Sequence, residues 1–116
     1  MDGEASLHLI NTLNQRVSAG QKFKGMKPNT RYRLSFFLRT RGLKGKLGAG
    51  AYLSLGRHHI PCPQIRVSGD TDWHKRTFEF VTPSFITPDT PCVIGLWIWS
   101  AEGEAWYDDV VISEIK

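Results

Sequence analysis

The sequence has little of what most catalytic and metal-binding functions require. Its 116 residues include two cysteines and four histidines, with no CxxC pair and no histidine spacing typical of zinc sites or metalloproteases. The G-x-S-x-G pattern of serine hydrolases and the GxxxxGK[ST] pattern of phosphate-binding loops are also missing. No apolar run approaches the roughly 20 residues of a membrane-spanning helix, and the first residues do not form a signal peptide. These absences argue against a metalloenzyme, a serine hydrolase and a helical membrane protein.

The two cysteines do not by themselves define a disulfide. Cys62 and Cys92 both lie beside prolines, which places them in loops or at the starts of strands. A disulfide requires their Cα atoms to lie within about 7 Å of each other, and the sequence does not decide this. Two free thiols are the default expectation, and a disulfide is the alternative.

The charge balance is basic, with a formal net charge of +4. Much of the positive charge falls in one region, at Arg31, Arg33, Arg39, Arg41, Lys44 and Lys46. Such a region is either an ordinary solvated surface or a surface that prefers anionic partners. Because no nucleic-acid-binding motif accompanies it, we expect neither a nucleic-acid nor a membrane partner.

Strand patterns recur along the chain, whereas the apolar stripe of an amphipathic helix does not. The pattern predicts strands at 6–11, 21–23, 31–40, 50–55, 65–67, 74–82, 92–100 and 105–115. Glycine and proline separate these segments, and the glycine-rich, basic stretch 41–50 is interpreted as a flexible connection. Short strands at this spacing predict a single all-β domain over residues 1–116, a sandwich or barrel.

Alternation within the clearest strands separates a core face from an outer face. The predicted core side chains are Tyr32, Leu34, Phe36, Leu38, Ala51, Leu53, Leu55, Phe78, Phe80, Ile94, Leu96, Ile98, Val110 and Ile112. By the same alternation, Asp108 and Trp106 share the side of Val110 and Ile112. This places a carboxylate at the rim of the core, where a cation, an arginine or backbone N–H groups must compensate its burial.

The outer faces carry aromatic residues that the core does not need. Trp97 and Trp99 are two residues apart and point to the side opposite Ile94, Leu96 and Ile98. Indole faces suit the apolar C–H faces of sugar rings, so the pair is a candidate stacking surface. Packing of these indoles against a loop or a second core layer is the alternative. The same reasoning assigns the carbohydrate-binding candidates Trp97, Trp99, Tyr52, Phe37, Arg33 and Arg39.

Four segments together carry a resemblance to a known family. They are GEASLHLIN, NTRYRLSFFLRT, GDTDWHKRTFEFVTP and EGEAWYDDVVISEI. In this order they resemble carbohydrate-binding modules of the galactose-binding-like jelly-roll type, which are attached to bacterial xylanases and glucanases. The matched motif positions are Tyr32, Ser35 and Phe36, then Trp73, Phe80 and Pro83, then Tyr107, Asp108, Asp109 and Val110.

The resemblance implies a two-sheet jelly roll that binds a polysaccharide without cleaving it and holds an attached enzyme near its substrate. It also implies secretion or cell-surface location, as part of a larger protein. It further implies a structural calcium ion held by Asp108, with Glu4 or neighbouring backbone carbonyls as its partners. The family usually begins with one strand more than this chain shows, and an uncovered sheet edge here would favour a homodimer. The alternative function is that of a structural or protein-interaction sandwich domain in a larger surface protein. If the domain binds a glycan, the sequence leaves open whether that glycan is neutral or acidic.

Paired carboxylates also raise the question of a glycosidase. Asp108 and Asp109 are adjacent in one strand and therefore point to opposite faces, while Glu102 and Glu104 lie in a polar link. The four histidines have no ligand spacing. We therefore expect no catalytic residues and no enzyme activity.

Overall fold

The computed structural model describes residues 7–12, 16–61 and 67–116. The strands are β1 (Leu7–Asn11), β2 (Arg16–Phe23), β3 (Arg31–Leu55), β4 (His58–Pro61), β5 (Gly69–Val81) and β6 (Cys92–Glu114). All strand pairs are antiparallel. Within the described ranges no helix is long and apolar enough to cross a membrane.

Two long strands form the centre of the molecule. β3 and β6 pair from Tyr32 opposite Glu114 to Leu55 opposite Cys92, with register shifts between Arg41 and Gly48. The shifts divide this ribbon into two half-sheets. The first contains β1, residues 103–114 of β6, residues 31–41 of β3, and β5. The second contains β2, residues 92–99 of β6, residues 48–55 of β3, and β4.

Glycines allow the ribbon to bend between the half-sheets. A Cβ atom on Gly45 would lie 2.6 Å from the Cα of Ala101, and one on Gly103 would lie 2.7 Å from the carbonyl oxygen of Gly42. Both glycines also have positive φ, at 150° and 131°, a region that residues with a Cβ rarely enter. The prediction of a flexible connection at 41–50 was therefore wrong. The segment is a bent, hydrogen-bonded part of β3, and the polar link at 100–104 is likewise part of β6.

The core lies between the inner faces of the half-sheets. Leu34, Phe36 and Leu38 from the first are fully buried against Leu53 and Leu55 from the second. The inward-facing residues of β3 have even numbers in the first half-sheet and odd numbers in the second. The register shifts in the bend cause this change, because they reverse which side of β3 faces the core. The predicted core residues of 31–40, 50–55 and 92–100 are confirmed as buried.

Tyr107 ties the half-sheets together across the core. Its ring packs on Phe36, with centroids 5.4 Å apart. Its hydroxyl lies 2.8 Å from the carbonyl oxygens of both Gly50 and Trp97 in the other half-sheet, and with one proton it donates to one of them at a time. Burial raises the pKa of this phenol, so the hydroxyl remains a neutral donor.

A bulge corrects one inner-face assignment. Asp109 has a φ of 54°, and the β3–β6 register shifts where Phe37 pairs with Asp108. The extra residue reverses the alternation, so Trp106 does not share the side of Val110 and Ile112. Trp106 instead stacks on exposed His8 on the outer face. The alternation failed because it assumed an uninterrupted strand.

The remaining sequence-based expectations have mixed outcomes. β2 begins at Arg16, earlier than the expected 21–23. Of the expected strand 65–67, Val67 forms an isolated bridge with Ala49, and the rest lies outside the described residues. Cys92 is a buried free thiol whose burial raises its pKa. Cys62 lies outside the described residues.

Candidate functional site

The outer face of the second half-sheet has a recurring pairing of aromatic residues with glycine. We call it the indole face and define it by Arg16, Ser18, Gly20, Lys22, Gly48, Gly50, Tyr52, Ser54, His59, Val93, Gly95, Trp97 and Trp99. Each aromatic residue on it has a glycine as its cross-strand partner: Tyr52 pairs with Gly95, Trp97 with Gly50, and Trp99 with Gly48. Glycine has no side chain, which leaves space over the neighbouring strand for a ring.

Tyr52 shows the effect of this space most directly. A Cβ atom on Gly95 would fall among the atoms Cδ1, Cε1 and Cζ of the Tyr52 ring. The ring therefore lies across the backbone of β6 at Gly95. A half-buried tyrosine ring held against the sheet in this way is part of a flat surface.

The two indoles of this face differ in exposure. Trp97 is 7% exposed and Trp99 is 44% exposed. Their ring centroids lie 6.1 Å apart with an interplanar angle of 85°, so one ring supports the other edge to face, a favourable aromatic geometry. Trp97 thus has the packing role that was the alternative reading of the pair, and Trp99 has the accessible ring.

Arg16 packs beside the accessible indole. Its Cζ atom lies 5.5 Å from the centroid of the Trp99 ring, within cation–π distance. On the other flank Trp99 pairs with Gly48, where a Cβ atom would meet the backbone carbonyl of Val67. The indole therefore packs against Arg16 on the β2 side and remains 44% exposed.

The structure separates the predicted carbohydrate-binding residues into two groups. Trp97, Trp99 and Tyr52 lie on the indole face, whereas Phe37, Arg33 and Arg39 lie on the outer face of the first half-sheet. Since the inner faces pack together, the two outer faces point away from each other. The six candidates therefore do not line one surface, a question that the sequence left open, because the bend in β3 moves 31–41 and 48–55 into different half-sheets.

The outer face of the first half-sheet holds two ion pairs, beside the further cations Arg31, Arg41 and Lys75. We call it the ion-paired face and define it by His8, Arg33, Phe37, Arg39, Glu79, Glu104 and Trp106. Its ion pairs join Arg33 to Glu79 at 2.9 Å and His8 to Glu104 at 3.3 Å, the histidine being charged only when protonated.

Trp106 is flanked on this face by side chains from both neighbouring strands. The His8 ring stacks on it at 4.5 Å with an interplanar angle of 4°. The Arg39 guanidinium lies 5.1 Å from its centroid, from the β3 side. This indole is half-buried, whereas Trp99 is exposed.

Asp108 is 6% exposed and lines a pocket of about 410 Å³ between β1, β2 and β6. The amide of Asp109 donates to its Oδ1 at 2.8 Å. In the described part of the chain no three side chains of the metal-binding types are grouped to hold an ion, whereas calcium takes six to eight oxygen ligands. Backbone carbonyl oxygens would have to supply much of such a set, and Glu4 lies outside the described residues. The calcium site stays a prediction.

Sequence reasoning missed Arg16 and the aromatic–glycine pairing. Arg16 lay outside the expected strand at 21–23, so its face was not assigned. Each glycine is visible in the sequence, but its aromatic partner is 43 to 51 residues away in the chain, in the pairs Tyr52–Gly95, Trp97–Gly50 and Trp99–Gly48. Only the β3–β6 register brings the partners together.

Comparison with known proteins agrees on the fold. Neither family models nor curated proteins give a match to the sequence. A solved "Family 16 Carbohydrate Binding Module-2" superposes with a TM-score of 0.69 and 19% identity, covering 94% of this chain and 76% of its own. "TmCBM61 in complex with beta-1,4-galactotriose" superposes with a TM-score of 0.59 and 14% identity, and the match covers 98% of this chain and 73% of the other. The "enzymatically active domain" of bacteriophage CBA120 tailspike protein 4 superposes with a TM-score of 0.70 and 13% identity, and the match covers 95% of this chain and 15% of the other. The chain is an antiparallel β-sandwich with the jelly-roll fold of carbohydrate-binding modules, as its sequence predicted.

Proposed function

We propose that this chain is a non-catalytic glycan-binding domain and that the indole face is its contact surface. The observation that carries the proposal is the accessible Trp99 ring, which is 44% exposed and supported by buried Trp97. The fold shared with carbohydrate-binding modules supports the same function.

The geometry suits a sugar ring for a physical reason. The C–H groups on one face of a pyranose are apolar and carry a slight positive charge, which is attracted to the negative face of an indole. Because Trp97 and Arg16 already hold Trp99 from two directions, binding immobilises little further side-chain freedom. Tyr52, lying over Gly95, extends the surface along the sheet.

The same face offers no acid–base chemistry. Among its described residues there is no aspartate or glutamate, whereas glycoside hydrolysis uses two carboxyl groups on opposite sides of the scissile bond. The proposed role is therefore retention. The domain keeps an attached, glycan-degrading enzyme close to its polymer outside the cell, which raises the effective concentration of substrate. An open, wet surface of this kind gives modest affinity.

Affinity gel electrophoresis across a panel of neutral and acidic polysaccharides tests the proposal. We expect Trp99→Ala to weaken binding about tenfold or more, since a stacked aromatic is a main source of contact energy. Trp106→Ala is the matched control, because it removes an indole from the opposite face and leaves the contact surface intact. If Trp99→Ala migrates like the parent on every polymer that retards the parent, the indole face is not the site. If no polymer retards the parent, a structural or protein-interaction role replaces the proposal.

A further inference from the structure

The two outer faces differ in whether carboxylates accompany their cations. The indole face carries Arg16, Lys22 and His59, and its described residues include no carboxylate. The ion-paired face places Glu79 beside Arg33 and Glu104 beside His8. The ion-paired face also carries Arg31, Arg41 and Lys75, so positive charge is found on both faces. What distinguishes the indole face is that its described residues place no carboxylate beside the cations, which makes it locally positive.

Arg16 is the cation nearest the accessible indole. Its guanidinium lies 5.5 Å from the Trp99 centroid, and the ion pairs of the described residues join other side chains. Stacking on an indole fixes the guanidinium plane but uses none of its five N–H donors. A ring bound on Trp99 would bring its substituents to these donors.

Lys22 continues the positive charge along the same strand. It lies six residues from Arg16 on the same side of β2, which corresponds to about 20 Å in an extended strand. A polymer lying along β2 and β6 would therefore meet Arg16 at one end of the face and Lys22 at the other.

We propose that the indole face selects anionic glycans, with Arg16 binding an acidic substituent of the sugar that stacks on Trp99. The inference rests on the proposed function and specifies its ligand class. The shared chemistry is a planar or tetrahedral oxyanion on a pyranose, either a uronate carboxylate or a sulfate ester. A guanidinium binds both through paired N–H donors, more strongly than it binds a neutral hydroxyl.

The test compares polymers that share a backbone and differ in charge. Polygalacturonate and glucuronoxylan are each paired with their carboxyl-reduced forms, and dextran sulfate is paired with dextran. Binding of the full chain is measured by calorimetry at low and at physiological salt. We expect the parent to prefer one or more charged members, with a preference that shrinks as salt rises. The uronate and sulfate pairs identify which oxyanion is bound.

Variants assign the preference to Arg16. Arg16→Gln should weaken binding of the preferred charged polymer about five- to tenfold and leave its neutral partner unchanged. Arg16→Lys should restore part of the loss, since it keeps the charge without the planar donor pair. Arg39→Gln, which removes a guanidinium of similar indole geometry from the ion-paired face, should bind like the parent.

The outcomes separate this inference from the proposed function. Equal binding of charged and neutral partners that is lost in Trp99→Ala overturns the anionic preference and leaves glycan binding intact. A charge preference that survives Arg16→Gln also overturns the inference. Binding that is unaffected by Trp99→Ala overturns both. Thermal unfolding of each variant confirms that its fold is retained.

Discussion

The two outer faces of this sandwich carry the same kinds of side chain in opposite arrangements. On the ion-paired face, Trp106 is enclosed by His8 and Arg39 from both neighbouring strands. On the indole face, Trp99 has Arg16 on one flank and Gly48 on the other. Trp106 is half-buried between its two neighbours, whereas Trp99 is exposed. The difference shows that aromatic content alone does not identify a binding face, since the packing of neighbouring side chains decides how much of a ring is accessible.

The largest expected effect on this comparison comes from removing Trp97, the side chain that supports the accessible indole. Trp97→Ala deletes a side chain that is almost fully buried, and we expect it to lower the free energy of unfolding by about 3 kcal/mol. Trp106→Ala should cost less, because that ring packs against exposed partners. Chemical denaturation of both variants measures the difference. Equal losses would show that the two indoles have equivalent structural roles.

Tyr107 tests whether the two faces depend on a common core. Tyr107→Phe removes the hydroxyl that bonds across the core to Gly50 or Trp97, and we expect a loss of about 1 to 2 kcal/mol in the free energy of unfolding. Glycan binding should be retained where the variant is folded. Urea denaturation at neutral pH measures the loss.

The same variant has a pH signature. Burial raises the pKa of Tyr107 in the folded state, so its stabilising contribution is complete below the unfolded value of about 10. Above that pH the unfolded chain loses the proton while the folded chain keeps it, and stability falls as pH rises. Tyr107→Phe should reduce the slope of stability against pH above about 10. An unchanged slope would contradict the assignment of this phenol as a neutral buried donor.

The smallest expected change in the free energy of unfolding comes from displacing the Tyr52 ring, which lies flat against the sheet at Gly95. Gly95→Ala introduces a methyl group where the Tyr52 ring lies, and the ring must move, at a cost of about 1 kcal/mol. The free energy of glycan binding should fall by more than the free energy of unfolding does, since the contact surface is no longer flat. Gly20→Ala is the control on the neighbouring strand, where a Cβ atom would lie 3.2 Å from Cγ1 of Val93. Equal glycan affinity in both variants would exclude Tyr52 from the surface.

Much of the fold follows from local pattern. Alternation in 31–40, 50–55 and 92–100 identifies the buried residues correctly, because each of these segments lies within one half-sheet and keeps one register. The same rule fails at Trp106, since Asp109 inserts an unpaired residue into β6. It also fails to detect that 31–40 and 50–55 are one bent strand, because glycine patterns in turns and in bends are alike.

The candidate site was predictable only in part. The sequence identified Trp97, Trp99 and Tyr52 as outward-facing aromatic residues, and all three lie on one face. It did not identify which indole is accessible, because the exposure of Trp97 and Trp99 depends on how the rings pack against each other. It left open whether Arg33 and Arg39 share that surface, because alternation reports the side of a strand and not the sheet to which the strand belongs.

By itself, the sequence determined an all-β sandwich, its core faces and the residue types available for binding. These are set by composition and by the two-residue period of a strand, which are local properties. The tertiary structure alone decided that the ribbon of β3 and β6 bends into two half-sheets, that a glycine stands opposite each aromatic residue of the indole face, and that Arg16 stacks on Trp99. These depend on register between residues far apart in the chain, which only the folded packing fixes.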